Sequence, residues 1–201
     1  MADHISPTKG NLIKIKNSLA LARTGYELMD RKRNILVRET MLLMDKANSL
    51  QDRIVSTYMR AYRALMLANI SLGIVDDIAE AAPLDDSIKI KSRSVMGVVL
   101  PQVSIDNKPV KNTFGFHRTD VSLDEACARF NDVKRLAAEL AEIESSVYRL
   151  SEAIRKTQKR ANALKNIVIP RFESQIKFIT EVLDEREREE FSRLKVIKKS
   201  R

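Results

Sequence analysis

The chain has 201 residues, 44% hydrophobic and 31% charged, with a formal net charge of +9, a composition inside the range of folded proteins rather than disordered ones. Trp is absent and aromatics make up only 5%, while Leu, Ile, Ala, Met, Arg, Lys and Glu dominate, which favours long helices over a compact mixed core. A single Cys127 excludes an intrachain disulfide and suits a reducing compartment; with no apolar run near the ~20 residues a bilayer requires and no signal-like N-terminus, the expectation is a soluble, cytoplasmic protein.

Ser6-Pro7-Thr8 offers a helix start, with Thr8 or Ser6 as the capping hydroxyl and Pro7 suited to the first turn. From there Leu12, Ile15, Leu19, Ala22, Tyr26 and Met29, then Leu36, Leu43, Ala47, Leu50, Ile54, Ala61, Ala64 and Ala68 step by threes and fours, broken by Arg33, Thr40 and Thr57. No Pro interrupts Lys9 to Asp77, and one helix of that order would be roughly 90 Å long at ~1.5 Å per residue. Its seam, with a period near 3.5, demands a second helix in a left-handed supercoil, and the Ala-rich later part would let two axes approach closely. Gly25 inside this helix is either a point of close approach or simply tolerated.

After Gly73 the pattern changes: Ala82-Pro83 stops a helix and Asp85-Asp86-Ser87 is turn-like. Ile88-Lys-Ile-Lys91 alternates, Val95 to Ile105 is β-branched with Gly97 and Pro101 inside it, and Asp106-Asn-Lys-Pro109 turns the chain. The segment reads as a small β-hairpin or two irregular strands, with Pro101 on an edge.

Ser122-Leu-Asp-Glu125 has the form of a capping box, with Val121 placed to staple onto Ala126, so a second long helix is expected from near Leu123. Its stripe runs through Leu136, Leu140, Ile143, Val147, Leu150, Ile154, Thr157, Ala161, Leu164 and Val168. Beyond Val168, two steps of four reach Phe172 and Ile176 before Ile179 and Leu183, a stutter that coincides with Pro170 and predicts a straightened or kinked segment. The run Asp184 to Glu190 places Asp184 with Arg188 and Glu189 with Arg193 at four-residue spacing; Leu194 and Ile197 resume the apolar face before a basic end, Lys195 to Arg201. The simplest arrangement is one elongated, mainly all-α domain: an antiparallel coiled coil of residues 1–77 and 122–201, with a connecting segment 78–121 carrying the hairpin.

Chemistry is sparse. His4 and His117 are the only histidines, no metal-ligand spacing or Gly-rich phosphate loop is present, and the carboxylates of 184–190 lie among arginines without a pocket to raise a pKa, so no catalytic residue, cofactor or metal is expected. The cluster Arg31-Lys32-Arg33 and the basic tail leave a nucleic-acid-binding rod or a free-standing helical-hairpin scaffold as the competing reading, against which stand interspersed acids and few aromatics for stacking.

Several segments, in order and spacing, resemble the D subunit of the V-type and archaeal-type rotary ATPases. They are Pro7-Thr8-Lys9 with Leu12, Ile15 and Leu19; Ala22, Gly25 and Asp30-Arg31-Lys32-Arg33 with Leu36; Val95-Met96-Gly97-Val98 followed by Pro101; Arg160-Ala-Asn-Ala-Leu164; Ile169-Pro170; Ile176; and Leu183 to Glu190 with Leu194-Lys195. Tyr26 departs from the resemblance, standing where the family often has His.

The resemblance implies a non-catalytic rotor shaft whose paired ends sit in the bore of a hexamer of catalytic A and B subunits. The F subunit would lie alongside, and the membrane-ring adaptor, the C or d subunit, would hold the other end, with no direct nucleic acid and no membrane insertion. The residues it places against the bore are Lys9, Arg186, Arg188, Arg193, Lys195, Lys198, Lys199 and Arg201. Val95, Met96, Gly97, Val98 and Pro101 would modulate ATPase activity or support partner docking, or else merely cap the open end of the coiled coil.

Overall fold

A computed structural model describes residues 6–75, 87–105 and 119–199. The elements are α1 (Lys9–Leu72), β1 (Ile88–Val95), β2 (Val98–Ile105), α2 (Val121–Ala163), a π-helical turn (Leu164–Val168) and α3 (Ile169–Lys199). By compactness the chain divides into two units, one of residues 1–35 with 154–201 and one of residues 36–153.

In the first unit, α1 pairs antiparallel with the end of α2, the π turn and α3. Arg33 meets Gln158, Tyr26 meets Lys165, Arg23 meets Glu173 and Lys9 meets Glu187, numbers rising on one strand as they fall on the other. Ile15 and Ala22 from α1 and Thr157, Ala161 and Ile179 from the returning strand are buried, all of them positions of the predicted seams. The Thr8 hydroxyl accepts the Asn11 amide at 3.3 Å, so Thr8 is the N-cap and Pro7 lies just outside the helix rather than in its first turn.

The predicted irregularity at Pro170 takes a definite form. Pro170 has no N–H to donate, and in a regular α-helix its ring would press on the Asn166 carbonyl. The chain widens instead: the Ile169 amide bonds to the Leu164 carbonyl, five residues back, and the extra residue in that turn accounts for the steps of four that follow.

Gly25 proves to be tolerated rather than required. A Cβ there would meet only Leu164 Cδ1 at 3.9 Å, an ordinary contact.

In the second unit, Leu36, Leu50, Ile54, Ala61, Ala64 and Ala68 of α1 are buried, as are Leu123, Ala126, Val133, Ile143 and Leu150 of α2. Thr57, which interrupts the stripe, is buried too and satisfies its hydroxyl by donating to the Arg53 carbonyl at 2.7 Å. Helix α1 ends earlier than Ala82-Pro83 suggested: Gly73, at φ 82°, takes the left-handed conformation that closes a helix, and its amide reaches the Asn69 carbonyl. Ala82-Pro83, Asp85-Asp86 and the Asp106–Pro109 turn lie outside the described residues.

The expected capping box at Ser122 is replaced. Asp120 caps α2, its Oδ1 accepting the Val121 amide at 2.7 Å, while the Ser122 hydroxyl donates to Asp120 Oδ2 and lies 3.0 Å from that of Ser71. Glu125 turns instead to Arg129, and Val121 is 78% exposed, so no staple onto Ala126 forms. A carboxylate two residues upstream is a stronger acceptor than the hydroxyl, and the helix starts two residues sooner than Leu123.

Candidate functional site

The hairpin is regular. Val95 pairs with Val98 across the two-residue turn Met96-Gly97, and the register runs to Ile88 opposite Ile105. Met96 (φ 50°) and Gly97 (φ 79°) both have positive φ, the signature of a type I′ turn, whose twist matches that of the strands. The second position holds the glycine such a turn favours; the first holds an exposed methionine where Asn or Asp would be at ease.

Because Val95 and Val98 close the loop as a hydrogen-bonded pair, alternation makes Ser92–Pro101 a non-bonded pair, so the missing Pro101 N–H costs the ladder nothing. The same alternation turns the Val99 carbonyl and Val103 amide outward. Both are met by α2: Arg149 Nη1 donates to the Val99 carbonyl at 3.0 Å, and the Val103 amide donates to Glu142 Oε2 at 2.6 Å. The β2 edge is thereby closed, and Leu100, only 1% exposed, lies beneath it. On β1, Arg93 reaches Glu39 of α1 at 2.9 Å. Glu142, Arg149 and Glu39 were missed by sequence reasoning, since each is defined by a contact distant in the chain.

The second candidate surface is the end of α3. Lys9 Nζ lies 2.9 Å from Glu187 Oε1, and Arg186 Nη1 donates to the Pro7 carbonyl at 3.3 Å, which ties the start of α1 to the middle of the charged run. The hydrogen bond and charge of Lys9 hold the Glu187 carboxyl below the usual carboxylate range, and Glu187 in return raises the Lys9 ammonium.

Arg193 pairs with Glu189 at 3.8 Å as expected, whereas Arg188 pairs with Glu185, three residues back, rather than with Asp184. Lys195 lies over the Phe191 ring at 5.4 Å, and Lys198 and Lys199 fill the last turn, where the helix dipole favours cations. Arg201 is outside the described residues.

Beyond Glu187, α3 continues for about three turns past Lys9, the first residue of α1. Everything from Asp184 to Lys199 is exposed. The expected return of Leu194 and Ile197 to an apolar seam is therefore corrected: they are 64% and 58% exposed, because α1 has already begun and no described strand lies opposite. Phe191, 63% exposed, joins them, and its spacing of three from Leu194 was a signal that the charge run obscured.

Among the described residues no three His, Cys, Asp or Glu are grouped to hold a metal, and no helix is long and apolar enough to cross a membrane. Cys127 is half-buried, and burial followed by the nearby Asp124 charge pushes its thiol up, away from the reactive thiolate. Of the basic cluster, Arg33 is already engaged with Asp30 at 2.7 Å and Gln158 at 2.9 Å, which removes it from any free cationic surface.

Known proteins decide the family. The sequence profile of the ATP synthase D subunit matches residues 11–199. The V-type ATP synthase D subunit of Thermotoga neapolitana is 42% identical over 196 residues, covering 96% of this chain and 97% of that one. The chain belongs to the ATP synthase D-subunit family. Other family members bear this out: the A-type ATP synthase D subunit of Pyrococcus furiosus is 38% identical, with 96% and 93% covered, and that of Methanopyrus kandleri is 37% identical, with 98% and 86% covered. In this D subunit, Tyr26 lies under Lys165 Nζ at 5.8 Å, a cation–π contact between α1 and the π turn.

Proposed function

We propose that this chain is the central-stalk subunit of a V/A-type ATPase, a non-catalytic axle that transmits torque between an A/B catalytic hexamer and a membrane ion-translocating ring. The observation that carries the reading is the overhanging end of α3. It is a helix with Phe191, Leu194 and Ile197 exposed beside Lys195, Lys198 and Lys199. Exposed cationic and apolar side chains on a helix make contacts that are individually weak and replaceable. A part that must pass three catalytic interfaces in turn needs contacts of that kind.

In this reading Lys9, Arg186, Arg188, Arg193, Lys195, Lys198, Lys199 and Arg201 face the bore, and the chain serves as one elongated domain in a cytoplasmic, peripheral part of the complex. The π turn and the Arg/Glu run make the shaft's faces unequal, so the three interfaces meet different surfaces and take different nucleotide states. The F subunit binds alongside, the ring adaptor takes the other end, and the turn Val95–Pro101 modulates activity or docks a partner.

The test is co-expression with the A and B subunits, comparing the full chain with one lacking 195–201. Loss of assembly or of coupled, ATP-driven rotation in the truncation is the expected result; undiminished rotation and pumping would remove the tail from the mechanism. Steeply salt-dependent binding to DNA or RNA as the dominant affinity would favour the competing nucleic-acid reading.

A further inference from the structure

One groove of the second unit belongs to none of the surfaces above. It has a volume of about 260 Å³ and is lined from α1 by Arg53, Thr57 and Arg60 and from α2 by Arg129, Asp132 and Arg135. Four guanidiniums thus share one short depression with a single carboxylate.

Their partners are few. Arg129 is paired with Glu125 at 3.3 Å. Arg60 donates only to neutral acceptors, the Ser56 carbonyl and the Thr57 hydroxyl, both at 3.3 Å. Among the described residues, Arg53 and Arg135 have no carboxylate within ion-pair distance, and Asp132 itself pairs with none of the four. Four cations gathered with only Asp132 and the Arg129 partner Glu125 to balance them leave an excess of positive charge, and an anion seated among them relieves that repulsion.

The chemistry of the occupant follows from the donor type and the length. Guanidinium forks bind oxyanions two oxygens at a time, which ammonium groups do not, and three or four forks on one depression suit a group with several terminal oxygens close together. From Arg53 to Arg60 the groove runs about 10 Å at ~1.5 Å per residue, a reach that linked phosphates can span.

We propose that this groove binds a di- or triphosphate group, either as free pyrophosphate or as the phosphate tail of a nucleotide. Arg53, Arg60 and Arg135 contact the phosphate oxygens, and Asp132 limits the affinity by repulsion. The proposal does not depend on the stalk reading, since it concerns the isolated chain.

The experiment is calorimetric titration of the full-length chain with pyrophosphate, and separately with ATP, at fixed ionic strength. A saturable one-to-one isotherm is expected, weakened roughly tenfold by Arg53→Gln or Arg135→Gln, partly restored in Arg53→Lys, and strengthened by Asp132→Asn. Lys46→Gln, an exposed change outside the groove, should leave it unaltered, and circular dichroism establishes that each variant is folded. Tighter binding of ATP than of pyrophosphate identifies a nucleotide as the source; equal binding identifies the bare phosphate chain. Binding that fails to saturate, that Lys46→Gln weakens as much as Arg53→Gln, or that a hexaglutamate peptide exceeds would overturn the proposal, the last by assigning the groove to an acidic protein segment.

Discussion

The hairpin edge and the overhanging end of α3 use the same charged side chains in opposite ways. At β2, Glu142 and Arg149 bond to backbone groups at 2.6 and 3.0 Å above a buried leucine, so they fix one strand on one helix. At the end of α3, Glu187 pairs with Lys9 of α1, and Arg188 and Arg193 pair with Glu185 and Glu189, side chain to side chain in full view of solvent, where entropy and screening cancel most of the attraction. A charge that holds a part-buried backbone amide is structural; a charge that holds another exposed charge can be exchanged for a different partner. The contrast separates an anchored part of the molecule from a part left available.

The sharpest way to break this comparison is Leu100→Ala. Removing the one fully buried side chain of β2 should cost about 2–5 kcal/mol in denaturant unfolding, whereas Leu194→Ala should change stability by less than about 0.5 kcal/mol. Equal costs would mean that α3 is as anchored as the hairpin.

Next in size, Glu142→Ala leaves the Val103 amide without its acceptor and should cost about 1–3 kcal/mol, with faster hydrogen exchange at Val103 than elsewhere in β2. Uniform exchange along the strand would show that the carboxylate does not hold that edge.

Two substitutions should stabilise, each by about 1 kcal/mol. Gly25→Ala supplies a better helix former where the new methyl has room, and Met96→Asn places a residue at ease with positive φ in the turn. A loss of coupling in Met96→Asn despite higher thermal stability would show that the methionine is kept at the turn for contact rather than for folding.

The smallest effect belongs to Lys9→Ala. Since Glu187 is held below its usual range, the pair's contribution is present above the ordinary carboxylate pKa and fades as pH falls through the depressed value. The raised Lys9 fixes the other limit: its contribution is lost as pH rises through the raised lysine value. Carboxyl carbon NMR should show Glu187 returning towards its ordinary titration in the variant, with the melting temperature unmoved; an unshifted titration would deny the pairing.

Much of this was legible in the chain because a helical seam is a local property. The three-and-four spacing from Ile15 to Ala68 names the buried face of α1, and the Leu150 to Ala161 stripe names its counterpart, without reference to any distant residue. The hairpin was legible for the same reason, through Gly97 and the β-branched run, but a choice between a regular ladder and two irregular strands was not. What escaped were the competitions: Asp120 over Ser122 as the cap, Glu185 over Asp184 for Arg188, and Gly73 over Pro83 as the end of α1.

By itself, then, the sequence determined the helices, their apolar faces and the interruption at Pro170, because periodicity and proline act on the backbone within a few residues. Only the tertiary structure decided that the interruption is a π turn, that Glu142 and Arg149 close β2, that four arginines share a groove, and that Phe191, Leu194 and Ile197 are exposed rather than packed. Apart from the π turn, whose width is one of several local responses to Pro170, each of these depends on which groups stand opposite one another across long stretches of chain, and an amphipathic stripe states that it needs a partner without stating where that partner stops.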